Sequence, residues 1–213
     1  MNIDHFMYAC PNLVQGCEWA ADTFGAEPAA GGAHQGLGTR NALLSLGGTY
    51  LEIIAPDTEQ PLQGTMGERF MRLSQPGLVT WAVEAELNSV RAALLERGVS
   101  SHGPVRTERM TPEGLLLVWG LLFPVDHSYG ARMPFFIDWM DCAHPRDTNP
   151  QGGHNAELTV THPDIDGLKS ALSALTSGVR FETGPAGLSL SVESLRGPVV
   201  LSSTEETSTL RMG

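Results

Sequence analysis

The chain is short of positive charge. Its 213 residues carry 13 lysines and arginines against 24 aspartates and glutamates, a formal net charge of −11. Lys169 is the only lysine. A surface of this sign is repelled by phosphate backbones and anionic headgroups, so neither nucleic acid nor membrane is expected as a partner. Cysteine is scarce as well. Cys10, Cys17 and Cys142 form no CxxC pair and leave an odd count, which argues against a zinc ribbon or a disulfide scaffold and fits a reducing cytoplasm. Long apolar runs are missing: the stretch from Leu115 to Val125 is broken by Gly120 and Pro124 and is too short to span a bilayer. Met1 to His5 offers neither the basic nor the apolar segment of a signal peptide. A nucleophile elbow, a phosphate loop, an HExxH helix and a dinucleotide-binding glycine turn are all lacking, so no nucleotide cofactor is expected.

What is present is ordinary globular material, 41% hydrophobic and 17% charged. At about 100–200 residues per domain, the length suits one large or two small, closely packed domains.

One pattern recurs. Residues 3–10 have a strand composition, and Pro11–Asn12 opens a helix whose apolar stripe is Leu13, Cys17, Ala20 and Phe24. Gly25 stands where a helix stops. Strands follow near 27–34, 40–47 and 49–55, with Gly47–Gly48 as a tight hairpin. The second copy runs from a strand at 77–85 through a stripe of Leu87, Val90, Leu94 and Leu95, stopped by Gly98, to strands near 102–109, 115–123 and 134–139. A third starts at 156–162, continues through Leu168, Ala171, Leu172 and Leu175 to Gly178, and ends in strands near 179–183, 187–194 and 198–202. The predicted fold class is α+β: two βαβββ modules (1–57 and 77–141) form a curved mixed sheet with a cleft across residues 1–145, and a third related βαβββ unit occupies 155–204. The third unit would close the sheet within the chain or offer a dimer surface, with a two-fold homodimer as the default. Residues 56–76 and 140–155 read as loops, the first a lid over the cleft, and the tail from Ser202 reads as frayed.

Four segments carry a family likeness: the Asp4–His5 strand, the string from His34 to Asn41, then Tyr50 to Ile54, then Pro134 to Trp139. Together with the paired modules they resemble the vicinal oxygen chelate superfamily and within it the glyoxalase-like branch, closely over residues 1–145 and more loosely beyond. That superfamily holds glyoxalases, extradiol dioxygenases and bleomycin-resistance-type binders. The resemblance implies metal ligands at His5 and Glu52, on the first and fourth strands of a module. Imidazole and carboxylate suit a divalent Zn, Ni, Mn, Fe or Co ion, or a structural His–Glu hydrogen bond. The second module departs from the pattern. Aligning DHFMYA on TWAVEA puts Trp81, which cannot ligate, at the His5 position. Ile137 or Asp138 matches Glu52, depending on one residue of register.

Further candidates surround these. His34, in the glycine-rich GGAHQGLGTRN, reads as a third ligand, a general base or a turn residue. Arg40 and Asn41 are candidate substrate anchors, but strand neighbours face opposite ways, so only one enters the cleft. In the second module Trp81 and Trp139 are candidate substrate-binding walls of the cleft, and Asp138 is the candidate acid there, the one match to Glu52 able to coordinate. His127 and His144 read as solvated loop histidines, and Cys10 as a small buried hydrophobe. The expected function is a glyoxalase-like enzyme of lyase or dioxygenase type acting on a small oxygenated molecule. His5, His34 and Glu52 would serve as base or metal ligands, and Arg40 or Asn41 would hold the substrate. The alternative is a metal-free binding or sequestration protein of the antibiotic-resistance type, suited to cationic drugs. A protein-interaction module ranks last.

Overall fold

The computed structural model describes residues 1–110 and 114–210. The first module is β1 (Ile3–Ala9), α1 (Leu13–Phe24), β2 (Ala29–His34), β3 (Thr39–Ser45) and β4 (Tyr50–Pro56). A connection carrying α2 (Met66–Met71) leads to the second: β5 (Gly77–Glu84), α3 (Leu87–Glu96), β6 (Ser100–Met110), β7 (Leu116–Val125) and β8 (Phe135–Asp138). The eight strands form one sheet in the order β2-β3-β4-β1-β5-β8-β7-β6. Within each module the first strand runs parallel to the last, and β1 meets β5 antiparallel at the centre. The sheet curls until its outermost strands, β2 and β6, approach each other. The half-barrel therefore closes around its concave face within a single chain.

Local chemistry explains the elements. The Asn12 side chain accepts the Gln15 N–H to cap α1, and Gly25, at φ 78°, turns the chain out in the left-handed region that glycine enters without steric cost. Gly16 is buried where α1 crosses the sheet, and a β-carbon there would lie 2.6 Å from the Cys10 sulfur. Strand β4 is buried from end to end because both faces of the sheet are covered, so YLEIIAP shows no alternation. The α3 stripe is narrower than its sequence suggests. Leu87, Val90 and Leu94 are buried, but Leu95 is 73% exposed.

Beyond α4 (Pro145–Thr148) lie β9 (Gly153–His162), α5 (Ile165–Leu172), β10 (Val179–Thr183), β11 (Gly187–Ser194) and β12 (Gly197–Ser202). The element order of the module recurs here, but the pairing does not. This sheet runs β10-β9-β11-β12, with the helix-linked strands β9 and β10 adjacent and parallel. Element order alone does not choose strand neighbours. The alternation in GLSLSV points to the difference: only Leu188, Leu190 and Val192 are buried, so this sheet covers one face. That face shares a core with Phe6, Tyr8 and Trp81 on the helix side of the large sheet. The third unit thus stacks on the convex side, away from the cleft.

Two stretches expected as irregular are ordered. The 56–76 connection contains α2, whose Met66 and Phe70 line the cleft. The tail forms α6 (Glu205–Thr209), held by a capping box between Thr204 and Thr207, while the Ser208 carbonyl accepts from Arg132. No helix among the described residues is long and apolar enough to cross a membrane.

Gly16→Val is expected to destabilise the fold by about 1–3 kcal/mol, because overpacking against Cys10 and Ile53 outweighs the few tenths gained in helix propensity. Urea unfolding monitored by circular dichroism would read this as a lower midpoint at unchanged slope.

Candidate functional site

The concave face has a polar end and an apolar end. Alternate residues of β1, β3 and β4 bring His5, Asn41 and Glu52 inward, and His34 closes the corner from the end of β2. The second module contributes Trp119, Leu121, Phe123, Phe135 and Ile137 as an almost wholly apolar wall. The cavity between them is about 120 Å³. An apolar cavity near 150 Å³ admits benzene, so the enclosed part of any ligand is about one small ring in size.

Asp4 organises the polar end. The β1–β5 register slips between Ile3 and His5, leaving Asp4 as a bulge residue that can turn beside its neighbour. Its carboxylate, fully buried, lies 2.6 Å from His5 Nδ1 and 2.7 Å from His144 Nε2, and accepts the Trp139 indole N–H at 3.0 Å. Burial pushes the Asp4 pKa up, but the hydrogen bonds from His144 and His5 outweigh it and hold the group well below the usual carboxylate range. An ionised Asp4 fixes the His5 proton on Nδ1 and leaves Nε2 facing inward. The His5 ring stacks on Tyr50 at 4.7 Å.

Glu52 meets this histidine and a second one. Glu52 Oε2 lies 3.4 Å from His5 Nε2, and Oε1 lies 3.8 Å from His34 Nε2. Asn41 Nδ2 donates to Glu52 Oε1 at 2.6 Å and sits 3.3 Å from His34 Nε2. Arg109 Nη1 donates to Asn41 Oδ1 at 3.1 Å, which sets the amide's orientation. Burial lowers the His34 pKa; Glu52 opposes the shift, while Arg109 and His5 add to it. A neutral His34 accepts from Asn41 at Nε2 and donates from Nδ1 to Thr39 Oγ1 at 3.0 Å. The glycine pair of β2 makes room for this bridge: a β-carbon on Gly31 would collide with Asn41 Oδ1, and one on Gly32 would lie 2.7 Å from Arg109 Cδ.

The structure brings together His5, His34, Asn41 and Glu52, with Trp139 at their edge. Three sequence candidates lie elsewhere. Arg40 is exposed on the outer side of β3, where it lines a surface groove with Pro11 and Glu27, because adjacent strand residues alternate. Trp81 lies on the helix side and donates its indole N–H to the Arg132 carbonyl at 3.0 Å. The bulges in β1 and β5 shift the equivalence by a residue, and one residue of register reverses the face. Asp138 also points away from the cleft and accepts the Met140 N–H at 2.9 Å, while Ile137 faces inward. His144, expected in solvent, is buried against Asp4. Cys10 is buried as expected, its thiol pushed up to about 12.

Sequence reasoning passed over Arg109 and the organising role of Asp4. The double glycine was the trace of Arg109, since it marks where another side chain crosses β2. The Asp–His adjacency was visible, but the bulge that makes it a pair was not.

The donors do not form a closed metal centre. On the cleft side the second module offers Val79, Ala82 and Ile137, none with a ligand atom. Asn41 sits between Glu52 and His34, and among the described residues only Asp4, Glu84 and His144 bring three ligand atoms within 4.8 Å of one another. That trio is already engaged: His144 bonds Asp4, and Arg146 donates to Glu84 at 2.8 Å.

A family model described as the glyoxalase-like domain matches residues 3–176. No curated protein matches the chain. Among solved structures, a hypothetical protein from Staphylococcus aureus is similar at a TM-score of 0.68 and 17% identity, over 87% of this chain and 86% of that one. Methylmalonyl-CoA epimerase from Mycobacterium tuberculosis is similar at a TM-score of 0.47 and 22% identity, over 64% and 85% of the two chains. At these identities the likenesses concern the fold.

Stability is expected to fall with pH in two windows. The folded His34 resists protonation, so stability declines as pH drops through its ordinary 6.5. Asp4, depressed in the fold, contributes fully above its ordinary 3.8 and loses that contribution as pH falls further. Melting temperatures across pH would show both windows, the upper flattened in His34→Gln and the lower in Asp4→Asn. Asp4→Ala should cost about 3–5 kcal/mol, since it strands three buried donors.

Proposed function

We propose, for a chain that belongs to the glyoxalase-like domain family, a proton-transfer enzyme acting on a small oxygenated organic molecule. The observation that carries this reading is the placing of His5 and His34 on either side of Glu52, at 3.4 Å and 3.8 Å from its two oxygens, at the polar end of an otherwise apolar cleft. Members of this superfamily often use divalent metals. The donor set here favours chemistry run on protons, of lyase or isomerase type, over a redox reaction of dioxygenase type.

The roles follow from the hydrogen bonds. Asp4 holds His5 by Nδ1 and aims Nε2 inward, as an orienting carboxylate does for a general base. His5 Nε2 and Glu52 Oε2 face each other at 3.4 Å, close enough to pass a proton between them. That pair is the reservoir that donates to or receives from the substrate. His34, neutral because it is buried, is the second base. Asn41 holds Glu52 and His34 in register. The apolar wall keeps water away from a carbanion or enolate, which a wet site would quench. The reaction class is removal and return of a proton on carbon beside a carbonyl.

A second reading is a metal-free binding protein, favoured by the apolar surface that the second module presents. Turnover separates the two readings.

The test is hydrogen–deuterium exchange into a panel of small carbonyl compounds in deuterated buffer, followed by proton NMR. Wild-type protein should wash out the C–H beside the carbonyl of at least one compound. Glu52→Gln and His5→Gln should slow that exchange by about 10²–10⁴-fold, the usual worth of a positioned acid or base. Full exchange in both variants would refute these roles. Saturable binding without any exchange would transfer the assignment to the binder.

A further inference from the structure

We propose that Arg109 is an anion receptor and that the cleft takes a small apolar carboxylic acid, with its carboxylate on the guanidinium and its hydrocarbon part among Trp119, Phe123 and Phe135. The proposal deepens the reading above by naming a substrate class, and it rests on that reading in treating the cleft as the substrate site.

Arg109 is underused by the protein. A guanidinium carries five N–H donors in a planar fork. Among the described residues a single hydrogen bond uses them, from Nη1 to Asn41 Oδ1. Its Nε is shielded from water and has no partner, and Nη2 makes no hydrogen bond among the described residues. Glu52 acts on it only through its field, because Asn41 stands between them. Burial pushes the guanidinium pKa down, as expected for a cation withdrawn from water without a counter-ion. A half-buried, poorly paired cation is costly to hold, so its retention calls for a partner that arrives from outside.

The surroundings favour an anion. Arg109 lines the cavity at the seam between polar corner and apolar wall. Gly31 and Gly32 remove the side chains that would block its path across β2, so the fold gives up two residues' worth of strand packing to let the guanidinium through. A bidentate fork matches a carboxylate in shape as well as charge. The apolar wall rejects a strongly hydrated ligand, and the cavity, about 120 Å³, sets the hydrocarbon part at about a ring or a branched chain. The net charge of −11 does not reverse this, since exposed charges beyond about 8 Å are screened at physiological salt. A cationic ligand, the sequence expectation for a binder, would meet the guanidinium instead.

The experiment uses benzoate and its neutral isostere benzamide as probes, read by calorimetry and by ligand-induced shifts in melting temperature. Wild-type protein should bind benzoate at least about tenfold more tightly than benzamide. Arg109→Gln should lose at least about tenfold in benzoate affinity and leave benzamide unchanged, and Arg109→Lys should fall between, because the ammonium keeps the charge and loses the fork. Should Arg109→Gln fail to fold, Arg109→Lys and the benzoate–benzamide comparison in the wild type decide the matter. Equal binding of the two probes, no binding of either, or unchanged benzoate affinity in the Arg109 variants would overturn the proposal. The failures are distinguishable: benzoate binding that depends on Arg109 without isotope exchange into any acid would refute proton transfer and leave the anion receptor standing.

Discussion

A single buried carboxylate holds the polar end of this molecule together. Asp4 receives hydrogen bonds from His5 beside it, from Trp139 just past β8, and from His144 at the start of α4. One donor is the neighbour of Asp4 and two come from the stretch around residue 140, and each would be a buried unsatisfied group without it. The carboxylate in turn would be an uncompensated buried charge without them. The arrangement fixes the His5 tautomer, joins the first module to the end of the second, and sets the inward direction of His5 Nε2. The bulge in β1 is the backbone feature that permits it, since a regular strand would send Asp4 and His5 to opposite faces.

From that anchor the cleft divides its labour between the modules. The first supplies nearly all of the polar groups, the second nearly all of the apolar wall. A pseudo-symmetric pair of modules would otherwise be expected to contribute equivalent side chains. The asymmetry is drawn in β5 and β8, where Val79, Ala82 and Ile137 stand on the cleft side with no ligand atom to offer. The second module's one polar contribution of weight is Arg109, which reaches the corner only because the curl of the sheet brings β6 near β2. Fold closure and site chemistry are thus one geometric fact: uncurl the sheet and the guanidinium leaves Asn41, and Asn41 loses the contact that orients it toward Glu52 and His34.

The second, four-stranded sheet has a different task. Its one apolar face covers the convex side of the half-barrel, against Phe6, Tyr8 and Trp81, and contributes nothing to the cleft. Burying that side completes the core behind the site, so the strands carrying His5 and Glu52 are covered on both faces. A site whose groups must stay within a few tenths of an ångström benefits from strands that cannot flex away from their neighbours.

Much of this was legible in the residues. The strand–helix–strand order, the stop glycines and the hairpin at Gly47–Gly48 follow from local periodicity and turn chemistry, which act within a few residues along the chain, while the pair His5 and Glu52 came from the family likeness. The alternation of GLSLSV against the largely apolar run of YLEIIAP marked a one-sided sheet beside a two-sided one, and the reading of three like modules passed over it. Which face a residue occupies past a bulge was not legible. Trp81 fell on the far side of the sheet because a single unpaired residue reverses the alternation and leaves no mark in composition, and Asp138 because the two alignments the sequence allowed differ by one residue of register. Nor were the long-range partners: Asp4 with His144, and Arg109 with Asn41 across Gly31–Gly32, are brought together only when eight strands curl. Local sequence sets the conformation of each element, because its causes are neighbouring side chains and backbone sterics. Which elements meet, and with what register, is decided by the closure of the whole sheet, and in this protein that closure assembles the site.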